Sequence, residues 1–509
     1  MLRGVVLGRL VARFARFPRF LFGRFHRRRR HRHVRQQPDR HRPAGQWWSA
    51  DRRWFPGGFP PRERNALAPH IDGRDAFGAV LDAARGAESY VYIAGWALTP
   101  TFALHRPGGQ ISLDGLLTGV LREVSERVPV KILVWSGSAF LFQPSKRRTK
   151  HACDELQREA PRVDIRLDNR ARATHSHHQK MIVVDGQVGF VGGLDLTTLE
   201  GDRWDEPGHP LRYGLNWHDV ELEVRGEAVA DLEANFTQRW EAVTGERDLP
   251  HRAPAIDPAW RTPCQVVRTI PRRTYPFAPR GEFGIAHAYL SAIAGAKRFI
   301  YLENQYLWSA DIVDALTEAM DRNTKGDGGD GRFRIVIVLP ARADYGKYDN
   351  DQHVDLLREA DGGRGIFSAY SLYSSGPASG PYGVGFRPVY VHAKVAVIDD
   401  EWYTVGSANL NRRGLAKDTE INVQAIDPEG ARALRLRLWA EHLRCDIDEI
   451  ADTDPSELID TVWPRRAAEV EQIIKDKRGI PPALVHPYDT SRAPGTWLLQ
   501  EAQALFEGL

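Results

Sequence analysis

From Asn65 onward the apolar residues switch repeatedly between two spacings. In "RDAFGAVLDAARGAESYVYIAGWAL" they first recur every three or four positions, which predicts a helix from Ala76, and then crowd into a strand over Tyr90–Ile93. The alternation repeats with a helix over Asp114–Val128 and the strand "VKILVW", Val130–Trp135. β-Branched strands alternating with helices predict an α/β fold. Residues 247–263, "RDLPHRAPAIDPAWRTP", are proline-rich and read as a linker. Beyond them come a helix near Ile285–Ala296, the strand "RFIYLE", a helix near Ala310–Met320 and the strand "FRIVIVL". Between the last two, "NTKGDGGDG" is a loop by composition. "SSGPASGPYGVGF", Ser374–Phe386, reads as a connecting loop, the alternative being a mobile rim over the site, and "PSELIDTVWPRRAAEVEQIIKDKRG" as largely helical, with an irregular tail after it.

The second half thus retraces the first, and the repeat reaches individual residues. "HHQKMIVVDGQVGFVGGLDL" (from His177) and "VHAKVAVIDDEWYTVGSANL" (from Val391) align without a gap. His178 matches His392, Lys180 matches Lys394, Asp185 matches Asp399, Gly192 matches Gly406, Gly193 matches Ser407 and Asp195 matches Asn409, each pair 214 positions apart. Two copies of one unit then account for the ordered body, as residues 65–250 and 265–450 joined by a linker over 251–264. Residues 1–64 precede them as an arginine-rich tail, and 451–509 follow as a helical extension.

Charge changes this picture at one end. Met1–Pro43 holds fourteen arginines, no lysine and one aspartate, a net of +13, so the remainder of a chain with overall charge +4 carries −9. An acidic body argues against an extended nucleic-acid groove. In the tail, Arg9, Arg13 and Arg16 share one helical face while Val6, Leu7, Leu10, Val11, Phe14 and Phe17 crowd the other. That pattern suits an anionic membrane surface, the alternative being a solvated tail. Its arginines interrupt any secretory-signal core, and no stretch approaches ~20 uninterrupted apolar residues. Cys153, Cys264 and Cys445 lie far apart with no CxxC pair, which argues against a zinc ribbon, leaves no disulfide framework and fits a reducing, cytoplasmic compartment, although a secreted protein can also lack disulfides; the tail would make the protein peripheral on the membrane.

Each motif reads H-x-K, four residues, D, then six residues to a glycine pair or Gly-Ser. At strand spacing the histidine and lysine share a face, and the apolar runs Met181–Val184 and Val395–Ile398 anchor them. Two such pairs meeting across a pseudo-dimer suit attack on a phosphodiester. The lysines offset its charge, one imidazole attacks phosphorus and the other protonates the leaving oxygen. Gly192, Gly193, Ser407 and Asn409 are expected to approach the phosphate. "HDVELEV" and "TEINVQA" superpose with Asp219 on Glu420, which makes these carboxylates the expected orienting partners of the imidazoles. Asp185 and Asp399 complete the motif, more as loop anchors than as phosphate contacts. His175 and His177 have no counterpart in the second copy and are left as bystanders; no metal ligand follows them at helical spacing.

The duplicated motif, together with "FVGGLDL", "GDRWD", "WHDVELEVRGEAVADLEANFTQRW" and "YLENQYL", resembles the phospholipase D superfamily, over about Asn65 to Ile450. The resemblance implies two tandem α-β-α sandwich domains related by a pseudo-two-fold axis, with the active site at their interface. It implies a phosphohistidine mechanism without metal or other cofactor, with His178 as nucleophile and His392 as acid and base. Glu303, Asn304 and Gln305, in "YLENQYL", would lie near that interface. The implied substrate is a glycerophospholipid such as phosphatidylcholine, with water or an alcohol as acceptor. A cardiolipin-synthase-like phosphatidyltransferase, another phosphodiesterase such as a nuclease, and a non-catalytic lipid-binding scaffold stay open. Asp195 departs from the asparagine that Asn409 supplies in the second copy, and an anionic Asp195 is expected to bond its neighbours instead.

Overall fold

A computed structural model describes residues 53–138, 143–172, 174–212, 216–325, 331–341, 347–378 and 383–491. The basic segment expected over Met1–Pro43 lies outside them. The first sheet is built from β1 (Asn65–Ile71), β2 (Val91–Gly95), β3 (Val130–Trp135), β4 (Asp164–Asp168), β5 (Met181–Val184), β6 (Val188–Gly192) and β8 (Val220–Gly226), while the short β7 (Asn216–His218) leaves it. Its strand order is β1-β8-β6-β5-β2-β3-β4. The second sheet holds β9 (Cys264–Ile270), β10 (Glu282–Phe283), β11 (Phe299–Glu303), β12 (Arg334–Val338), β13 (Phe367–Pro377), β14 (Val384–Val391), β15 (Val395–Ile398), β16 (Trp402–Gly406) and β17 (Glu420–Ile426). Its central order, β9-β17-β16-β15-β11-β12-β13, repeats the first strand for strand. The senses match as well, since β2, β3 and β4 run parallel, as do β11, β12 and β13, and both motif strands pair antiparallel on each side.

Each motif strand faces two cores. Ile182 and Val184 pack outward with the helices Asp72–Arg85 and Leu117–Ser125. Met181 and Val183 turn inward to a core that also takes Val395 and Val397 and the helices Ala228–Thr244 and Pro428–Leu443. Ala396 and Ile398 face a third core under Gly284–Gly295 and Ala310–Lys325. Two-sided burial is why these runs read as continuously apolar. Each buried Val or Ile contributes about 1.5–3 kcal/mol, so the strands carrying the motifs are rigid.

Several elements differ from expectation. The Gly/Ser-rich stretch Ser374–Phe386 falls largely on the hairpin arms of β13 and β14, whose small residues pair in register from Leu372↔Val389 to Pro377↔Val384. The helices Lys146–Glu159 and Lys347–Asp361 are amphipathic but strongly charged, and so lacked an apolar signal. After the helix Pro455–Asp476, the C-terminal region adds β18 (Val485–Pro487) beside β13. Among the described residues no helix is long and apolar enough to cross a membrane.

Asp185 and Asp399 close the motif strands at positive φ, 55° and 60°. Asp185 accepts from the backbone N–H groups of Glu88, Ser89 and Tyr90 at 2.7, 2.7 and 2.8 Å. Asp399 accepts from Lys297, Arg298 and Phe299 at 2.7, 2.8 and 2.8 Å. Each therefore ties the turn before the neighbouring strand, β2 or β11, roughly 16 Å along the chain from the motif lysine at strand rise. Grouping them with the catalytic residues is corrected on that ground. Asp185→Ala should cost about 2–4 kcal/mol in urea unfolding, because three amide donors lose a charged acceptor, while turnover per folded molecule stays within a few-fold. Unchanged stability with abolished turnover would contradict this assignment.

Candidate active site

The two halves grip each other reciprocally at the motifs. The His178 backbone N–H donates to Thr419 O at 2.9 Å, and that of His392 donates to His218 O at 2.8 Å. The residue after each acceptor supplies the carboxylate. His178 Nδ1 lies 2.9 and 3.0 Å from the Glu420 oxygens, and His392 Nδ1 lies 2.7 Å from Asp219 Oδ2. Each imidazole is thus held by a carboxylate of the other half. Donation from Nδ1–H fixes the tautomer that leaves the lone pair on Nε2.

The lysines complete the symmetry. Lys180 Nζ donates to the His178 carbonyl at 3.0 Å, and Lys394 Nζ donates to that of His392. Both lysines are almost fully buried. Burial and the ammoniums of Lys180 and Lys394 hold His178 well below the usual imidazole range. His392 is lowered likewise by burial, then by Lys394, Arg203 and Lys180. Lys394 itself is brought down to about 7 by burial. The site therefore pairs neutral imidazoles with concentrated positive charge, an arrangement suited to an anion that resists nucleophilic attack.

The predicted phosphate contacts divide. A methyl group on Gly193 would overlap the Asp219 carboxylate, and one on Gly192 would overlap Glu221 and the Val220 carbonyl. These glycines make room for the orienting strand rather than for phosphate. Ser407 Oγ donates to Glu420 Oε2 at 2.6 Å, so it braces the carboxylate behind His178. Asn409 is buried and its Oδ1 has no hydrogen-bond partner, which leaves a polar atom uncommitted. Its counterpart Asp195 accepts from Trp96 N and Ala97 N at 3.1 Å each and stands 3.6 Å from Lys180 Nζ. Glu303 does not reach the imidazoles of the motifs; its carboxylate bonds His218 Nε2 at 2.8 Å and His442 Nε2 at 2.9 Å, one residue behind Asp219. His177 is buried against Asp168 and Thr419, at 2.8 and 3.0 Å.

Arg203 and Trp96 went unassigned in the sequence, and Gln305 was placed near the site without a role. Arg203, in "GDRWD", is buried with its guanidinium 4.6 Å from the Trp217 ring, and that ring lies 4.8 Å from His392. Trp96 covers Lys180 at 5.8 Å, whereas Gln305 Oε1 meets Lys394 at 3.4 Å. Trp96 and Gln305 each follow the end of an equivalent strand, β2 or β11. That register was the available signal.

Two segments, residues 83–216 and 386–486, match a family model described as Phospholipase D. The chain is 25% identical to phospholipase D alpha 1 of Carica papaya, with 80% of this chain and 68% of that protein covered. It is 25% identical to phospholipase D A of Dictyostelium discoideum, covering 76% and 36%. With phospholipase D1 of Saccharomyces cerevisiae it shares 24% identity, covering 79% and 30%. The chain therefore spans about two thirds of the papaya relative and about a third of the other two. Among solved structures, phosphatidylserine synthase of Haemophilus influenzae Rd KW20 aligns with a TM-score of 0.52 at 13% identity, covering 82% of this chain and 95% of that one, a likeness of fold.

The charge arrangement predicts a bell-shaped kcat/KM profile, which reports groups of the free protein. With His178 depressed, its loss of nucleophilicity on protonation should place the acid limb below pH 6.5. Activity should fall as pH rises, first below pH 6.5 as free His392 loses the proton it must donate, and again through about 7, where Lys394 loses its charge. Lys394→Arg should carry this second fall upward whatever it does to the rate, because a guanidinium stays charged. An acid limb at or above pH 6.5, or a basic limb indifferent to that change, would contradict the assignment. Glu420→Gln should lower kcat by about 10²–10⁴-fold with stability little changed.

Proposed function

The chain belongs to the phospholipase D superfamily of phosphodiester-cleaving enzymes, and from that premise we propose that it cleaves the head-group phosphodiester of glycerophospholipids such as phosphatidylcholine. The observation that carries this reading is the pair of crosswise-anchored imidazoles beside two buried ammoniums. Each ammonium within ~4 Å of a phosphate oxygen contributes about 4 kcal/mol at an effective dielectric of ~20.

His178 Nε2 attacks phosphorus as the bond to the head-group oxygen breaks, and His392, protonated in the complex, gives its proton to that oxygen. The bound anion favours this protonation, since its charge offsets the lysines that depress His392. His392 then takes a proton from water, whose oxygen displaces His178 from phosphorus and yields phosphatidic acid. An alcohol in place of water gives the transphosphatidylated lipid through the same steps. No metal or cofactor enters this sequence. Asn409 would reach a phosphate oxygen through its Nδ2 amide, since the unpartnered Oδ1 can only accept. The basic tail would hold the protein peripherally on an anionic, cytoplasmic membrane surface.

Phosphatidylcholine vesicles with added ethanol test the reading. The native protein should form phosphatidylethanol beside phosphatidic acid, and His178→Ala should lose both by more than about 10³-fold. Undiminished choline release by that variant would overturn the mechanism. Deleting Met1–Pro43 should weaken binding to anionic vesicles while sparing a soluble short-chain substrate; equal vesicle binding would return the tail to a solvated role.

A further inference from the structure

Behind Asp219 lies a second buried cluster that the proposed chemistry does not use. Asp72, at the start of its helix, His209, in the loop before β7, and Glu441, near the end of the helix Pro428–Leu443, converge there from distant parts of the chain. Asp72 and His209 are completely buried, and the Glu441 side chain is 8% exposed. Three of their polar atoms, Asp72 Oδ2, His209 Nε2 and Glu441 Oε2, have no hydrogen-bond partner. Each such atom has given up its hydration without gaining a partner, which is unfavourable unless something else occupies the space between them.

The tautomer of His209 is set from behind. His209 Nδ1 lies 3.0 Å from Asp205 Oδ2, and Asp205 is itself held by Asn216 Nδ2 at 3.0 Å, by Trp217 N at 2.9 Å and by Arg212. Donation from Nδ1–H leaves the Nε2 lone pair aimed at two carboxylates. Nε2 is 3.5 Å from Asp72 Oδ2 and 3.8 Å from Glu441 Oε1, and the latter also accepts from Gly208 N at 2.8 Å. These gaps are long for hydrogen bonds. They approach the separation of tetrahedral donors around an ion with bonds of about 2.0–2.2 Å, roughly 3.3–3.6 Å. The neighbouring Glu303 cluster makes the contrast, for its carboxylate meets His218 and His442 at 2.8 and 2.9 Å, as ordinary hydrogen-bonded pairs. His218 has both ring nitrogens engaged, Nδ1 with Asp72 Oδ1 at 3.0 Å, and so is not a donor to an ion.

We propose that Asp72, His209 and Glu441 form a structural site for a divalent transition-metal cation, Zn²⁺ by its donor set of one imidazole and two carboxylates. The Asp205–His209 pair supplies the carboxylate–imidazole support usual behind such a ligand. The site adjoins the machinery without entering it. Asp72 Oδ1 accepts from Asp219 N at 3.3 Å, and Asp72 N donates to Asp219 O at 2.8 Å, so the ion would stiffen the turn that presents Asp219 to His392.

The test uses the full chain, purified without chelator, stripped with dipicolinate and titrated with Zn²⁺ against a chromogenic chelator. One Zn²⁺ per chain should bind and raise Tm, and zinc-edge absorption should show one imidazole nitrogen with oxygen neighbours. His209→Gln and Glu441→Gln should each weaken binding by about tenfold or more. Glu441 is the least buried of the three, so its variant keeps the test valid should His209→Gln fail to fold. No stoichiometric binding, or binding that a folded Glu441→Gln leaves unchanged, would overturn the site and leave a protonated His209 bridging the carboxylates.

Discussion

Among the hydrogen bonds that cross between the repeats, the candidate site depends on two side-chain contacts: His178 to Glu420 and His392 to Asp219. They are possible because the strand entering each motif pairs with the start of the other half's last sheet strand. His177 bridges to Thr419 on one side, and Val391 pairs with His218 on the other. The contact is of the isologous kind expected about a two-fold axis, here within one chain. Neither half holds an oriented imidazole without its partner.

Departures from symmetry fall at the positions that would separate the roles of the two imidazoles. Ser407 braces Glu420, whereas Gly193 leaves Asp219 without a hydroxyl. An aromatic face covers Lys180 and an amide meets Lys394. Asp195 is spent on backbone N–H groups while Asn409 keeps an uncommitted atom. A symmetric scaffold thus carries unequal surroundings, as a cycle in which one imidazole attacks and the other moves protons would require.

Much of this was legible in the sequence because the repeat is gapless over the motif. Strand periodicity placed His178 and Lys180 on an anchored run, and superposing "HDVELEV" on "TEINVQA" singled out Asp219 and Glu420. What a linear pattern does not carry is which half each carboxylate serves, since that follows from chain crossing. Glycines read as phosphate-facing turned out to clear space for carboxylates, because a missing Cβ does not say what fills its place. Glu303 sits in a motif-like "YLENQYL" yet answers to His218 and His442, two residues brought in from other elements. Arg203 was hidden by its setting, as a buried arginine over an indole looks in sequence like any loop arginine. The β13–β14 hairpin was missed for the opposite reason, its pairing being made by the small residues that normally signal a loop.

A crystal structure of the protein with vanadate bound would test the crossed arrangement most directly. The account predicts one five-coordinate vanadium with His178 Nε2 at an apex and the opposite apical oxygen at hydrogen-bond distance from His392 Nε2. Each Nδ1 should still be held by the carboxylate of the other half. Vanadium seated away from both rings, or the two rings opening into separate cavities, would contradict it.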